Sequence, residues 1–302
     1  MDRRESLAIH RLTADQPVQA QIATLPDGRL HLQEGPIDLV IGLEGPRPAV
    51  ATAAARAIAA FEGLLAGLVA ELPLLRTPVG PDRPAPHGAV ARRMAEAVWP
   101  FRAGFIIPMA AVAGSVAEEV LSALAEAPGL TAAYVNNGGD IALFLAPGAS
   151  LRIGVVPHLA RAVPEALIRL RAEDPVRGIA TSGWPGRSFS LGIADAVTVL
   201  ARSAASADAA ATVIANAVDA DHPAIRRAPA ASLDPDNDLG ERLVTVEVGP
   251  LPAEVIEAAL DAGEARAEAL LSAGLIESAA LVLGETVRVV GAMGFIPRDT
   301  VP

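Results

Sequence analysis

The alternation of hydrophobic and polar positions predicts a chain of short strands interrupted by long helices. Period-two alternation over residues 18–24 and 29–33, on either side of Pro26-Asp27-Gly28, is typical of a β-hairpin. The same pattern predicts further strands at residues 37–41, 132–136, 141–145, 151–156, 178–181, 194–200, 242–248, 276–283 and 287–290. Helical spacing predicts helices over residues 48–70, 89–98, 109–127, 204–218 and 253–271.

Long helices inserted into a mostly hairpin-connected sheet indicate an α+β fold, because no strict β-α-β rhythm runs along the chain. Proline and glycine are spread over the sequence, and no change in composition marks a linker. We therefore predict a single domain over residues 1–302, with a mostly antiparallel sheet and packed helices. Residues 77–88 carry four prolines and are interpreted as a rigid connector, although such loops also line ligand sites.

The longest apolar tract, residues 49–75, is interpreted as a buried helix and not as a membrane span. It carries Arg56, Glu62 and Glu71 and is interrupted by Pro73. The charged N-terminal residues are followed by no apolar run of signal-peptide length. The sequence therefore predicts a cytoplasmic protein that does not contact a membrane.

Composition and charge exclude several classes of chemistry. The chain has 24 basic and 35 acidic residues and a net charge of -11, so nucleic acid is not an expected partner. It contains no cysteine, and all of its basic residues are arginine. Thiol nucleophiles, Cys-bound metals, Schiff bases and a lysine-containing phosphate loop are therefore excluded. The five histidines are scattered without metal-ligand spacing and are interpreted as surface or loop residues.

The first segment with candidate chemistry is a tight turn of two amides, two glycines and a carboxylate: Asn136, Asn137, Gly138, Gly139 and Asp140. Glycines let backbone N–H groups approach a ligand closely, and Asn or Asp side chains can bind a hydroxyl or an amide edge. Taken alone, the segment is more often an Asn-Gly hairpin turn with a capping Asp.

The second segment is a strand end with two hydroxyls and a glycine, Thr181-Ser182-Gly183, followed by Arg187. Hydroxyl, backbone and guanidinium donors at this spacing could hold a phosphate. Taken alone, this pattern too is more often a simple turn.

The third segment contains Asp208 and Thr212, four residues apart on a predicted helix. Their oxygens therefore share one helix face, one turn apart. A carboxylate and a hydroxyl suit Mg²⁺, a hard cation that prefers oxygen ligands and takes few of them from protein. On spacing alone, a helix-start Asp and a core Thr are the more common explanation.

In this order and spacing, the three segments resemble the flavin transferases of the ApbE type, which are FAD:protein FMN transferases. The matching motifs are Gly138-Gly139-Asp140, Thr181-Ser182-Gly183 and the run from Ala207 to Thr212. The runs at residues 108–114 and 183–192 are similar to a cytoplasmic branch of ApbE-like proteins without an assigned activity. The resemblance covers roughly residues 15–290 and is specific in the combination of motifs, not in any one of them.

The resemblance implies an ApbE-like α+β fold that holds FAD, with magnesium near the pyrophosphate. It implies that Asp208 and Thr212 hold the metal, helped by a backbone carbonyl from residues 111–114. It also implies that residues 136–140, Thr181-Ser182-Gly183 and Arg187 bind the flavin nucleotide. In such an enzyme the metal neutralises the pyrophosphate while AMP leaves and FMN passes to an acceptor threonine.

Two departures from the family pattern bear on the activity. The transferases have a lysine in the loop that matches Ala113, and this chain has none. They also have a histidine after the Thr-Ser-Gly motif, where residues 188–193 contain no histidine. The metal pair and the Gly-Gly-Asp turn are intact, so ligand binding could persist where transfer does not.

Three hypotheses follow from the sequence. The first is a magnesium-dependent flavin transferase or FAD pyrophosphatase. The second is a protein that binds a flavin or another nucleotide without chemistry. The third is a homo-oligomer without ligand, because an alanine-rich helical surface buries well in a dimer.

Overall fold

A computed structural model describes residues 20–155, 166–292 and 295–297 of the chain. The strands are β1 (Gln21–Thr24), β2 (Leu30–Glu34), β3 (Ile37–Glu44), β4 (Ala132–Asn137), β5 (Asp140–Leu145), β6 (Ser150–Val155), β7 (Ala166–Arg171), β8 (Gly178–Ser182), β9 (Ala196–Ala201), β10 (Ile225–Pro229), β11 (Leu243–Val248), β12 (Ser278–Leu283), β13 (Thr286–Val290) and β14 (Phe295–Pro297).

The helices are α1 (Arg47–Phe61), α2 (Leu64–Ala70), α3 (Leu72–Leu75), α4 (Ala89–Val98), α5 (Val112–Ala125), α6 (Ala204–Ala217), α7 (Ala230–Leu233) and α8 (Ala253–Ser272). Two short 3-10 turns, Trp99–Phe101 and Pro108–Ala111, follow α4 and precede α5. The second turn leads directly into α5, so it sets where that helix begins.

Nine strands form one sheet in the order β1-β2-β3-β4-β5-β8-β9-β12-β13. Each neighbouring pair in it is antiparallel. Strands β6, β7 and β14 form a separate antiparallel sheet, and β10 pairs with β11. The predicted α+β fold with a mostly antiparallel sheet and packed helices is therefore confirmed.

Side-chain alternation assigns the two faces of the nine-stranded sheet to different layers. Leu32, Leu39 and Val135 point to the helical side, where they share a core with residues of α1, α4 and α5. Leu143 and Leu200 point to the other side and pack against the sheet of β6, β7 and β14. Helix α6 lies on the helical side between α5 and strands β8 and β9. The sheet thus carries helices on one face and a small sheet on part of the other.

The helix predicted over residues 48–70 is wrong at one point. The chain adopts a left-handed conformation at Gly63, with φ of 73°, and this conformation divides the segment into α1 and α2. A lone glycine is tolerated within a helix, so the hydrophobic spacing gave no sign of the break. Strands β7, β10 and β14 were not predicted. The strand predictions at residues 18–19 and at 156 lie outside the described residues.

Two described stretches, residues 47–70 and 108–125, are long and apolar enough to cross a membrane by length and composition alone. Within the fold, the first is broken at Gly63 and buries Ala53, Ala57 and Phe61 in the core. The second includes α5, which buries Val116 and Val120. Both stretches therefore contribute one face to the core, as helices of a globular domain do.

The N-terminus of α6 is held in close backbone contact with its neighbours. A Cβ atom at Gly178 in β8 would lie 2.2 Å from the backbone of Ser203 and Ala204. Such a separation is far below van der Waals contact, so only glycine fits at this position without a shift of α6. The start of β8 thereby determines how deeply α6 sits on the sheet.

Replacing this glycine should therefore destabilise the protein. We expect Gly178→Ala to reduce the free energy of unfolding by about 1–3 kcal/mol, as overpacking of a core does. Gly67→Ala is the matched control, because Gly67 lies within α2 and a Cβ added there would meet no atom within 4 Å. That variant should gain about 0.5–1 kcal/mol from helix propensity. Urea denaturation measures both, and equal effects of the two variants would contradict the close contact.

Candidate functional site

The three sequence segments meet at one end of the nine-stranded sheet, on its helical side. Asn137 ends β4 and pairs directly with Asp140, which begins β5. Strand β8 lies next to β5, and the backbone N–H of Thr181 donates to Asp140 Oδ1 at 3.2 Å. Helix α6 brings Asp208 close enough for the charge of Asp140 to act on it. The structure thus brings together residues from all three motifs.

The connection between β4 and β5 is a two-residue turn at Gly138 and Gly139. Both glycines have positive φ, 65° and 115°, which suits the twist of a tight hairpin. Asn136 Oδ1 accepts a hydrogen bond from the N–H of Gly139 at 2.8 Å and stabilises the turn. The hairpin-turn interpretation is therefore correct for the backbone of this segment, and Asn136 serves the turn itself.

Asn137 connects the sheet to the first turn of α5. Its buried side chain donates from Nδ2 to the carbonyl oxygen of Ala113 at 3.2 Å. Its Oδ1 accepts from the backbone N–H of Asp38 at 3.5 Å. This amide therefore connects the end of β4 to the carbonyl of Ala113 in the first turn of α5.

Asp208 and Asp140 form a carboxylate pair with unfavourable surroundings for charge. Asp208 Oδ2 accepts from the N–H of Gly114 at 3.0 Å, and the carboxylate is also bonded to the N–H of Ala113. Burial, followed by the charge of Asp140, raises the pKa of Asp208 well above its ordinary value. Burial likewise raises the pKa of Asp140 to about 7, opposed by the hydrogen bond from Thr181.

Oxygen donors at this place fit a hard divalent cation. Asp140 and Asp208 are carboxylates close enough to interact electrostatically, and carboxylate oxygens are ligands that Mg²⁺ prefers. Thr212 follows Asp208 by one helical turn and is half-buried. Within the described residues, no group of three or more His, Cys, Asp or Glu side chains could hold a metal. The carboxylate pair would therefore need hydroxyl, carbonyl, water or ligand oxygens to complete a coordination shell.

Arg187 lies over the glycine turn and is exposed. Its Nη1 is 3.1 Å from the position that a Cβ at Gly138 would occupy. It forms no ion pair within the part of the chain that the structure describes. An exposed guanidinium without an ion pair, next to the Gly138 turn, could bind an anionic ligand.

The side chains of Thr181-Ser182-Gly183 contribute less than the sequence suggested. The hydroxyl of Thr181 bonds across the sheet to that of Thr198 at 2.9 Å, on the face away from Asp140. Ser182 is half-buried on the helical side. A Cβ at Gly183 would lie 2.3 Å from the carbonyl oxygen of Asp195, so packing requires this glycine. Only the backbone N–H of Thr181 reaches the carboxylate pair.

Sequence reasoning missed two carboxylates that hold the surroundings of the site. Asp195 accepts from Trp184 Nε1 at 3.0 Å and from the N–H of Gly284 at 2.7 Å, which fixes the start of the 183–192 segment. Glu118 accepts from the N–H of Ala204 at 3.0 Å, and burial raises its pKa. Glu118 follows Gly114 by four residues, as Asp208 follows Ala204, but this spacing within each helix does not identify the partner helix.

Two cavities lie elsewhere. One of about 220 Å³ includes Arg29, Gly42 and Tyr134, and another of about 400 Å³ is lined by the proline-rich loop near Pro81. In the first, Arg29 is already paired with Asp27. Neither cavity is lined by Asp140 or Asp208. We therefore assign the candidate site to the end of the sheet and not to either cavity.

Fold and site together define a class: an α+β protein with an antiparallel sheet and a half-buried carboxylate pair near the first turns of two helices. The protein family described as AbpE bacteria matches residues 22–289. The chain therefore belongs to this ApbE-like family, and the resemblance seen in the sequence motifs is confirmed.

Archaeal relatives match parts of the chain. UPF0280 protein of Methanothrix thermoacetophila is 38% identical over 133 residues, 44% of this chain and 53% of the relative. UPF0280 protein of Methanopyrus kandleri is 39% identical over 202 residues, 65% of this chain and 78% of the relative. The chain thus spans about half the length of the first relative.

A solved structure is also similar in part. The apo form of the Pseudomonas stutzeri flavinyl transferase ApbE aligns over 90% of this chain and 94% of its own, with 14% sequence identity and a TM-score of 0.41.

The carboxylate pair should make stability depend on pH in a defined direction. Because the pKa of Asp140 is raised from 3.8 to about 7 in the folded state, stability should fall as pH rises through this range. The slope should be at most about 1.4 kcal/mol per pH unit for one group. Asp140→Asn cannot ionise, so it should be more stable than the wild type at about pH 8 and similar at about pH 4.

Urea denaturation in a chelator across this pH range measures the difference. Asp27→Asn is the control of opposite sign, because Arg29 lowers the pKa of Asp27 and its contribution is lost as pH falls. If the wild type and Asp140→Asn have the same free energy of unfolding up to about pH 8, the pKa of Asp140 is not raised by burial.

Proposed function

We propose that the protein binds FAD through its pyrophosphate, with Mg²⁺ held by Asp208 and Thr212, and cleaves the phosphoanhydride bond. FMN would pass to an acceptor hydroxyl or to water, and AMP would leave. The observation that carries this proposal is the placement of Asp140 of β5 and Asp208 of α6 at one end of the sheet, next to the first turn of α5. Membership of the ApbE-like family supports the flavin nucleotide as the ligand.

The oxygen donors around Asp208 have separate tasks in this proposal. The N–H groups of Ala113 and Gly114 bind the Asp208 carboxylate, with Gly114 at Oδ2, and fix its orientation. Asn137 holds the carbonyl of Ala113 in place from the sheet. Bound magnesium would neutralise the pyrophosphate and stabilise charge as the phosphoanhydride bond breaks.

The anionic ligand would also meet positive potential from the protein. Arg187 provides a full positive charge at the exposed side of the Gly138 turn. The N–H groups of Gly114 and Ala204, in the first turns of α5 and α6, already bind Asp208 and Glu118. Arg187 therefore favours an anionic ligand over a neutral one.

A second function, binding without cleavage, is favoured by one specific observation. The chain has no lysine, and residues 188–193 contain no histidine, so two groups of the family's transfer site are missing. The remaining groups bind and orient a ligand but include no neutral-pH nucleophile. A flavin carrier would then retain the cation and pyrophosphate sites alone.

The deciding experiment is a titration of the protein with FAD, with and without magnesium, followed by flavin fluorescence and an assay for AMP. Magnesium-dependent binding with release of AMP supports the enzyme. Binding without AMP over long incubation supports the carrier. Absence of binding in both conditions contradicts both functions.

Asp208 should be essential to the magnesium dependence. We expect Asp208→Asn, which keeps an oxygen acceptor for Gly114, to weaken magnesium-dependent FAD binding by about 100-fold or more, as expected for loss of a charged ligand. Calorimetry measures the affinity, and thermal unfolding verifies the fold. Asp236→Asn, an exposed carboxylate of the 234–240 loop, is the control. Equal FAD affinities of Asp208→Asn and the wild type in magnesium would show that Asp208 is not part of the ligand site.

Arg187 should contribute to affinity without contributing to stability. Since it has no ion pair among the described residues, Arg187→Ala should leave the unfolding midpoint unchanged and weaken FAD binding by about 10-fold, the loss of one charge-assisted hydrogen bond. Arg226→Ala removes an equally exposed arginine, paired with Glu247 on β11, and should not affect FAD. Similar FAD affinities for both variants would place Arg187 outside the ligand site.

A further inference from the structure

Helices α5 and α6 cap each other's N-termini. Asp208 of α6 accepts from Gly114 N at 3.0 Å and is bonded to the N–H of Ala113, both in the first turn of α5. Glu118 of α5 accepts from Ala204 N at 3.0 Å and is bonded to the N–H of Ala205, both in the first turn of α6. Each carboxylate therefore satisfies backbone donors that its partner helix cannot satisfy itself.

The exchange of caps requires the two helices to touch. A Cβ at Gly114 would lie 2.3 Å from the carbonyl oxygen of Ala204, so the two backbones are in direct contact at this point. In each helix the carboxylate follows the contact residue by four positions, which is one turn. Because the contact is tight, a shift of the α6 N-terminus must move Asp208 relative to Gly114.

Glu118 is itself held from a third helix. Arg93 of α4 pairs through Nε with Glu118 at 3.2 Å and through Nη1 with Glu119 at 2.7 Å. The other contacts of Glu118 are with Ser203 and the first N–H groups of α6. Glu119 shares Arg93 with Glu118, but of these two carboxylates it is Glu118 that binds the N-terminus of α6.

We propose that Glu118 is a positioning residue for the cation site: by holding the first turn of α6 against α5, it sets the carboxylate of Asp208 beside Ala113 and Gly114. Glu118 does not touch the ligand and acts through Asp208. The cation part of this proposal rests on the proposed function, whereas the hydrogen bond between Asp208 and Gly114 is measurable without any ligand.

The test compares Glu118→Ala with Glu119→Ala. Both variants lose one acidic side chain of α5 and one ion pair to Arg93, but only the first frees the N-terminus of α6. In the metal-free protein, amide hydrogen exchange at Gly114 should be about 10-fold faster in Glu118→Ala than in Glu119→Ala. The dissociation constant for Mg²⁺ alone should rise by about 10-fold or more in Glu118→Ala and stay near the wild-type value in Glu119→Ala.

Two further variants keep the test decisive. Glu118→Gln retains an oxygen for Ala204 N and should restore slow exchange at Gly114, although it loses the charge beside Arg93. If Glu118→Ala does not fold, Glu118→Asp replaces it, because the side chain is shorter by one methylene and withdraws from Ala204 while keeping the charge. Unchanged Gly114 exchange in the folded variant overturns the proposal.

The two proposals fail in distinguishable ways. A wild-type protein that binds no FAD, with or without Mg²⁺, contradicts the proposed function, and Gly114 exchange still decides the role of Glu118. A wild-type protein that binds Mg²⁺ with equal affinity in Glu118→Ala and Glu119→Ala overturns the positioning role alone.

Discussion

The backbone contact between Gly114 and Ala204 is the constraint on which the site depends. It brings the first turns of two helices within reach of each other's carboxylates, and no larger residue than glycine fits there. Once the helices are held in this way, Asp208 lies near Asp140, the first residue of strand β5. The sheet is joined to the first turn of α5 through the side-chain amide of Asn137, which donates to the carbonyl of Ala113.

Much of the fold was accessible from the sequence because its signals are local. The Gly138-Gly139 turn predicts the β4–β5 hairpin, and helical spacing predicts α6 almost to the residue. Strand β10 was not predicted because its two arginines and final proline interrupt the alternation of hydrophobic and polar residues. The break at Gly63 was not predicted because its left-handed conformation depends on how α1 and α2 pack, and hydrophobic spacing does not encode this packing.

The site was predictable only as a set of motifs. Each candidate segment could also be explained by a structural role without a ligand. Two residues have such a role: the Thr181 hydroxyl is hydrogen-bonded to Thr198, and Gly183 packs against Asp195. The electrostatic interaction of Asp140 with Asp208, and the hydrogen bond of Glu118 to α6, join residues far apart in the chain. Such pairings arise from the order of strands in the sheet and leave no trace in local spacing.

The carboxylate pair also links two properties of the solution. Burial raises the pKa of Asp140 to about 7, so a divalent cation bound at the carboxylate pair, as proposed, would displace a proton. Protons and the cation would then compete for the same oxygens. Occupancy by the cation would therefore fall with falling pH as well as with falling concentration of the free cation.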